Sequence, residues 1–305
     1  MSRWTFVFDI SGPPDRSSGA AHLLQWTIAG VAVQTDAEKR IRMRLAPVRS
    51  KWVDASEPEA ELIRSLLLSD VLCSQVLHVT KSQDGWTQYK SEGDWFVSAL
   101  NANQLELEKR GFRGDTRKFK PELVVRHHSI IGCSALLTGL SLRLHPPRRP
   151  SHRLSAPVEV TAVIDNDFQG LGNELLHKYL WECGDAALRS SLGLAISTRL
   201  RFRCEQEEPL LMLPDYLAGC FRCYEHMPKV RHSEDLTDDF VRGMALDLWG
   251  AASVAVHTCA LGAYPLAVVD GDLVPCDRGV MLPGSLRHLP PPASRIRVAH
   301  PPVSP

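Results

Sequence analysis

Apolar positions come in two rhythms along this chain, unbroken runs of a strand's length and runs spaced three and four apart. The first is Trp4-Thr5-Phe6-Val7-Phe8-Asp9-Ile10, halted by Ser11-Gly12-Pro13-Pro14. A near-continuous run bounded by turn formers predicts a strand covered on both faces. The run from His22 to Gln34, interrupted at Gly30, predicts a strand antiparallel to it. Asp36 to Leu45 is a short basic amphipathic segment, Glu57 to Ser69 a helix capped by Ser56 or Asp54, and Gln75 to Thr80 a third strand. Lys81 to Gly114 is polar, with one short helix expected around Asp94 to Lys109, and Pro121 to Leu142 reads as a helix. A Pro- and Arg-rich loop, His145 to Arg153, leads to a strand, Val158 to Asp165, followed by a helix from about Leu171 to Cys183 and a strand from about Leu194 to Cys204. Apolar residues then recur at helical spacing from Pro209 to Phe221, around Asp215. Beyond residue 228, Thr237 to Cys259 reads as a helix starting near Ser233 or Asp235, and Leu266 to Pro275 as a hairpin around Asp270-Gly271-Asp272. From Pro283 onward the chain is too rich in proline for regular structure and is expected to be extended or disordered.

Three acids punctuate this pattern. Asp9 and Asp165 each close an apolar strand, and Asp215 opens a helix. Any one alone reads as a turn former or helix cap. A carboxylate at the end of a doubly covered strand must nevertheless face a cleft, a cation or a hydrogen-bonding partner, and the three together look like a metal site.

Charge changes the picture little. Lys+Arg and Asp+Glu are 35 each in 305 residues, so no global field draws the protein to nucleic acid, and phosphate-binding groups must come from local runs. Four exist: Arg40, Arg42 and Arg44; Arg110, Arg113, Arg117, Lys118 and Lys120; Arg148, Arg149 and Arg153; and Arg199, Arg201 and Arg203. The alternate arginines of the last share one strand face, a stripe that binds a backbone or solvates an exposed sheet. Eight cysteines lie in apolar contexts, as suits reduced, buried thiols and a cytoplasmic protein. Cys220-x-x-Cys223-x-x-His226 has half of a zinc spacing, but no second Cys-x-x-Cys pair exists. No basic-then-apolar leader and no bilayer-spanning run is evident, so no membrane is expected.

The order of strands and helices, and the places of the acids, resemble the ribonuclease H-like fold, in which the first strand, the end of the fourth strand and a late helix each lend a carboxylate to one cleft. More narrowly, Phe8-Asp9-Ile10-Ser11-Gly12 and Leu211-Met212-Leu213-Pro214-Asp215-Tyr216-Leu217-Ala218-Gly219 resemble the two motifs of the bacterial domain-of-unknown-function 3800 family, an Asp-Glu-Ser-Gly strand end and a Leu-Gln-Leu-Ala-Asp helix. Ile10 replaces the family's Glu, and Met212 and Pro214 its Gln and Ala. Strand alternation points residue 10 away from the face Asp9 uses, so that departure need not empty a metal site. The resemblance implies an α/β fold with a mixed sheet flanked by helices. It would span residues 1–228 with a helical insertion around 81–142, a small helix-and-hairpin appendage at 229–282 and a proline-rich tail at 283–305.

The chemistry implied is that of converging carboxylates. They repel one another, so one is protonated or a divalent cation neutralises them, and hard oxygen donors select Mg²⁺ or Mn²⁺. Two such ions hydrolyse a phosphodiester. On this expectation Asp9 bridges the ions, Asp165 and Asp215 each complete one, and Asp167 is the reserve for Asp165. Arg199, Arg201 and Arg203 are the candidate substrate contacts, and Glu205, Glu207 and Glu208 offer a fourth ligand or a solvated acidic loop. The expected function is a metal-dependent nuclease acting on DNA or RNA, in defence or on mobile elements by family resemblance. The alternative is a catalytically inactive ribonuclease H-like scaffold that binds protein or nucleic acid.

Overall fold

The computed structural model of the chain describes residues 4–12, 25–69, 71–80, 101–102, 104–109, 113, 132–134, 136–137, 140–141, 144, 158–165, 181, 196–226, 232–258, 263–269, 272–281 and 295–298. The early apolar runs become β1 (Trp4–Ser11), β2 (Gln25–Gln34) and β3 (Leu72–Thr80), with α1 (Thr35–Leu45) and α2 (Glu57–Leu67) between the last two. Ser56 starts α2, where the Glu59 carboxylate accepts from both its backbone N–H and its hydroxyl. A short α3 (Gln104–Lys109) follows. After it come β4 (Val158–Asp165), β5 (Ile196–Arg203) and, beyond a 3₁₀ turn at Pro209–Leu211, α4 (Met212–His226). The described residues between 132 and 141 are helical, as is Trp181; the remainder of the helices expected at 121–142 and 171–183 lies outside the described residues.

β2 lies antiparallel between β1 and β3, while β4 runs parallel to β1 and β5 parallel to β4. The strand order β5-β4-β1-β2-β3, with only the second strand reversed, is the ribonuclease H-like arrangement. The two sheet faces separate by residue parity. Val7, Ala29, Val31, Val33 and Val163 join the core that α4 covers with Leu213, Tyr216, Leu217 and Cys220. On the opposite face Phe8 packs on Trp181 with ring centroids 6.0 Å apart. The same ring closes over Gly30, where an added Cβ would lie 2.7 Å from it, which explains the glycine interrupting an otherwise apolar strand.

The C-terminal part differs from expectation. The helix predicted over 237–259 ends early, as α5 (Asp238–Ala251), and the chain passes directly into β6 (Ala252–Thr258), which pairs in parallel with β3. Val254 and Val256 suit a strand, and β3 would otherwise expose its backbone donors and acceptors along a free edge. A further strand, β9 (Arg295–Val298), pairs with β6 inside the stretch read as an unstructured tail, from four residues that contain no proline. The expected appendage is therefore partly continuous with the main sheet, which has seven strands among the described residues. The hairpin is found, as β7 (Ala263–Val269) and β8 (Asp272–Met281). No helix among the described residues is long and apolar enough to cross a membrane.

Candidate active site

Register brings the strand acids together. β1 and β4 pair in parallel up to Phe8↔Ile164, so Asp9 and Asp165 are the next residues on adjacent strands and share the face of Val7 and Val163. Asp9 is 7% exposed and Asp165 1%. Ile10 follows on the other parity and donates its backbone N–H to Asp9 Oδ1 at 2.7 Å, which fixes the carboxylate.

α4 delivers the third acid. Pro214 falls in its first turn, where the missing N–H costs no intrahelical bond, and Asp215 follows at once. The start of α4 is anchored from outside. Glu208 accepts from Leu210 N–H at 3.2 Å and pairs with Arg42 of α1, which also holds Glu38 at 3.0 Å. The side chain of Asp215 reaches hydrogen-bonding distance of Asp9 and accepts the Trp52 backbone N–H at 2.7 Å.

Two more groups, from loops, complete the cluster. Glu205, 5% exposed in the turn after β5, pairs with the Lys51 ammonium, whose Nζ also lies 3.4 Å from Asp165 Oδ2. Of the acidic triplet only Glu205 enters; Glu207 is exposed beside Arg203, and Glu208 serves as the anchor described above. Lys51 is held in place by its neighbours: Tyr216 donates its hydroxyl to Ser50 O at 2.9 Å, and Arg49 N–H donates to Glu59 at 2.7 Å. Trp52 is buried edge-on against Tyr216, with its indole N–H on Cys223 Sγ at 3.3 Å. Gly219 makes room for it, since a Cβ there would overlap the Trp52 ring.

The electrostatics follow. Burial first, and the neighbouring Asp215 second, push the Asp9 carboxyl well above the usual carboxylate range, against the Ile10 N–H and Lys51. Burial likewise raises Asp215, to about 6, despite the Trp52 N–H and Lys51, with Glu205 adding repulsion. Four carboxyl groups thus crowd around one ammonium, and the upward shifts of Asp9 and Asp215 mean that these two hold their protons more tightly than free aspartates do.

Of the residues singled out from the sequence, Asp9 and Asp215 lie within hydrogen-bonding distance of each other, and Asp165, one strand over, is linked to them through Lys51. Asp167 lies outside the described residues. Arg199, Arg201 and Arg203 are exposed on the outer strand β5, in register with Thr161, Val163 and Asp165, on the carboxylate side of the sheet. Cys220 and Cys223 are buried thiols on α4, in no disulfide and both pushed up by burial. Lys51 and the Trp52 amide were not found from sequence, for a loop lysine carries no pattern. Among the described residues, no group of three or more His, Cys, Asp or Glu side chains is placed so that it could hold a metal ion as it stands. The Lys51 ammonium pairs with both Asp165 and Glu205.

No family model and no curated protein matches the sequence. Among solved structures, a chain from the PCNA:RNase HII complex of Archaeoglobus fulgidus aligns over 82% of this chain and 89% of that one, at 14% identity and a TM-score of 0.34. At that TM-score the likeness bears no argument about site or activity.

Proposed function

We propose that this protein is a divalent-metal-dependent phosphodiester hydrolase acting on nucleic acid through Asp9, Asp165 and Asp215, with Glu205 as a fourth donor. The carrying observation is that Asp9 and Asp215, which face each other on β1 and α4, both have raised carboxyl pKa values inside a buried acidic cluster. Such crowding favours either a shared proton or a bound cation. The donor set fits Mg²⁺ or Mn²⁺, being entirely carboxylate oxygen, and an ammonium already sits against two of its members. When bound, the metal would supply Lewis-acid stabilisation and an activated water.

The chain's own residues divide the remaining work. Asp9, fixed by the Ile10 N–H, and Asp165 beside it form the floor. The Trp52 N–H holds Asp215 in one orientation. Lys51 must withdraw from Asp165 and Glu205 for those oxygens to take a cation, and its side chain, 34% exposed, has solvent to move into. Arg199, Arg201 and Arg203 then offer a cationic track beside the cluster. The motif resemblance to the domain-of-unknown-function 3800 family supports the same reading.

A second reading, an inactive ribonuclease H-like scaffold, is favoured by the same Lys51, which supplies a permanent countercharge in place of a metal. Mn²⁺ titration separates the two: a hydrolase gains melting temperature with Mn²⁺ and loses that gain in Asp9→Asn. No gain in the wild type, together with no Mg²⁺- or Mn²⁺-dependent cleavage of DNA or RNA oligonucleotides, would overturn the hydrolase.

A further inference from the structure

Arg222 lies on α4 seven residues, or roughly 10 Å along the axis, beyond Asp215 and on the same side of the helix. It faces Gly12, the residue after β1, much as Asp215 faces Asp9 within β1. Gly12 has φ +73°, and an added Cβ would overlap the Arg222 guanidinium, so the glycine serves both the left-handed backbone and the close approach. Arg222 Nε is buried without a hydrogen-bond partner, and among the described residues no carboxylate pairs with the side chain. Burial lowers its pKa, and the neighbouring Cys223 thiol, rather than a carboxylate, is what acts to raise it.

Buried guanidinium donors are ordinarily satisfied, and a half-buried cation left without an anion is costly. A structural arginine would have a carboxylate or carbonyls around it. A flat guanidinium with spare donors against a bare backbone suits a tetrahedral oxyanion, which its fork geometry matches.

We propose that Arg222, backed by Gly12, binds a backbone phosphate of the nucleic acid, at a subsite one or two nucleotides from the bond facing the carboxylate cluster. The choice of nucleic acid as the bearer of that phosphate rests on the hydrolase reading, whereas anion binding by Arg222 does not.

The test uses the full chain as wild type, Arg222→Gln, Arg222→Lys and Asp9→Asn. Binding of labelled single- and double-stranded DNA and RNA oligonucleotides is followed by fluorescence anisotropy in EDTA at several salt concentrations, with inorganic phosphate as competitor and melting temperature as control. Arg222→Gln is expected to weaken oligonucleotide binding about tenfold, to reduce the salt slope by about one, and to melt no lower than wild type. Arg222→Lys, which keeps the charge and loses the fork, should restore the salt slope but not the full affinity. Weakened oligonucleotide binding in Arg222→Gln with no cleavage by any variant would sink the hydrolase and keep the anion site. Asp9-dependent cleavage with unchanged binding and salt slope in Arg222→Gln would do the reverse. A lowered melting temperature with binding intact would make Arg222 a structural residue and overturn the proposal, as would displacement of phosphate alone with no effect on oligonucleotide affinity.

Discussion

The two charged residues that α4 presents to β1 are treated in opposite ways. At its first turn Asp215 is surrounded by compensation: the Trp52 N–H, the nearby Lys51 and hydrogen-bonding contact with Asp9. Two turns later Arg222 lies against Gly12 with no such partner. Folding alone would favour satisfying both ends or neither. On the proposed function, the acidic end would await a cation and the basic end an anion from outside.

The comparison breaks most decisively at the acids. Asp9→Asn and Asp215→Asn are each expected to lower Mn²⁺-dependent cleavage of an oligonucleotide by at least about two to three orders of magnitude, a loss like that of other groups stabilising transition-state charge. Folding should survive, which far-ultraviolet circular dichroism would check. Next comes the support. Gly219→Ala forces a methyl against the Trp52 ring and so shifts the amide that holds Asp215. Overpacking of this kind costs about 1–3 kcal/mol, read from urea unfolding, and activity should fall with it.

Lys51→Met sharpens the contrast in a different way. It removes the cation paired with Asp165 and Glu205, and because Lys51 is 34% exposed the metal-free protein should lose only about 1 kcal/mol. Its melting temperature should then rise more steeply with Mn²⁺ than that of the wild type, since no ammonium competes. An equal or smaller response would show that Lys51 does not occupy the cation's place.

The smallest expected effect is on pH. Asp215 is raised from 3.8 to about 6 in the folded protein, so the folded state holds its proton more tightly than the unfolded chain does. Its contribution to stability is full below about pH 4, is lost as pH rises between about 4 and about 6, and stays lost above. In EDTA, Asp215→Asn should flatten this part of the curve and melt about 2–4 °C higher near pH 7, roughly 1 kcal/mol. A variant whose pH profile matched the wild type would show that the acid is not under strain.

Much of this was legible along the chain. Asp9 and Asp165 stood out because each ends an apolar run in which a charge has no ordinary place, and Asp215 because it interrupts helical apolar spacing. The cap of α2 was narrowed along the chain to Ser56 or Asp54, and the structure picks Ser56, whose N–H and hydroxyl both donate to Glu59. The extent of α5 was not, because Gly250 near its end is followed by Ala251 and Ala252, which suit a helix as well, and only the open edge of β3 decides that a strand begins there. Glu205, Glu207 and Glu208 are equivalent in sequence, and burial separates the one at the cluster from its neighbours.

By itself, the sequence determined the alternation that gives each strand two faces, the order of strands and helices as far as α4, and which acids sit where an apolar element meets a turn. These are local matters of side-chain period and backbone chemistry. Tertiary structure alone decided that Lys51 and the Trp52 N–H reach the acids and that Arg222 lies over Gly12. Those approaches depend on long-range closures, among them Tyr216 onto Ser50 and the Trp52 ring over Gly219, which no nearest-neighbour pattern encodes.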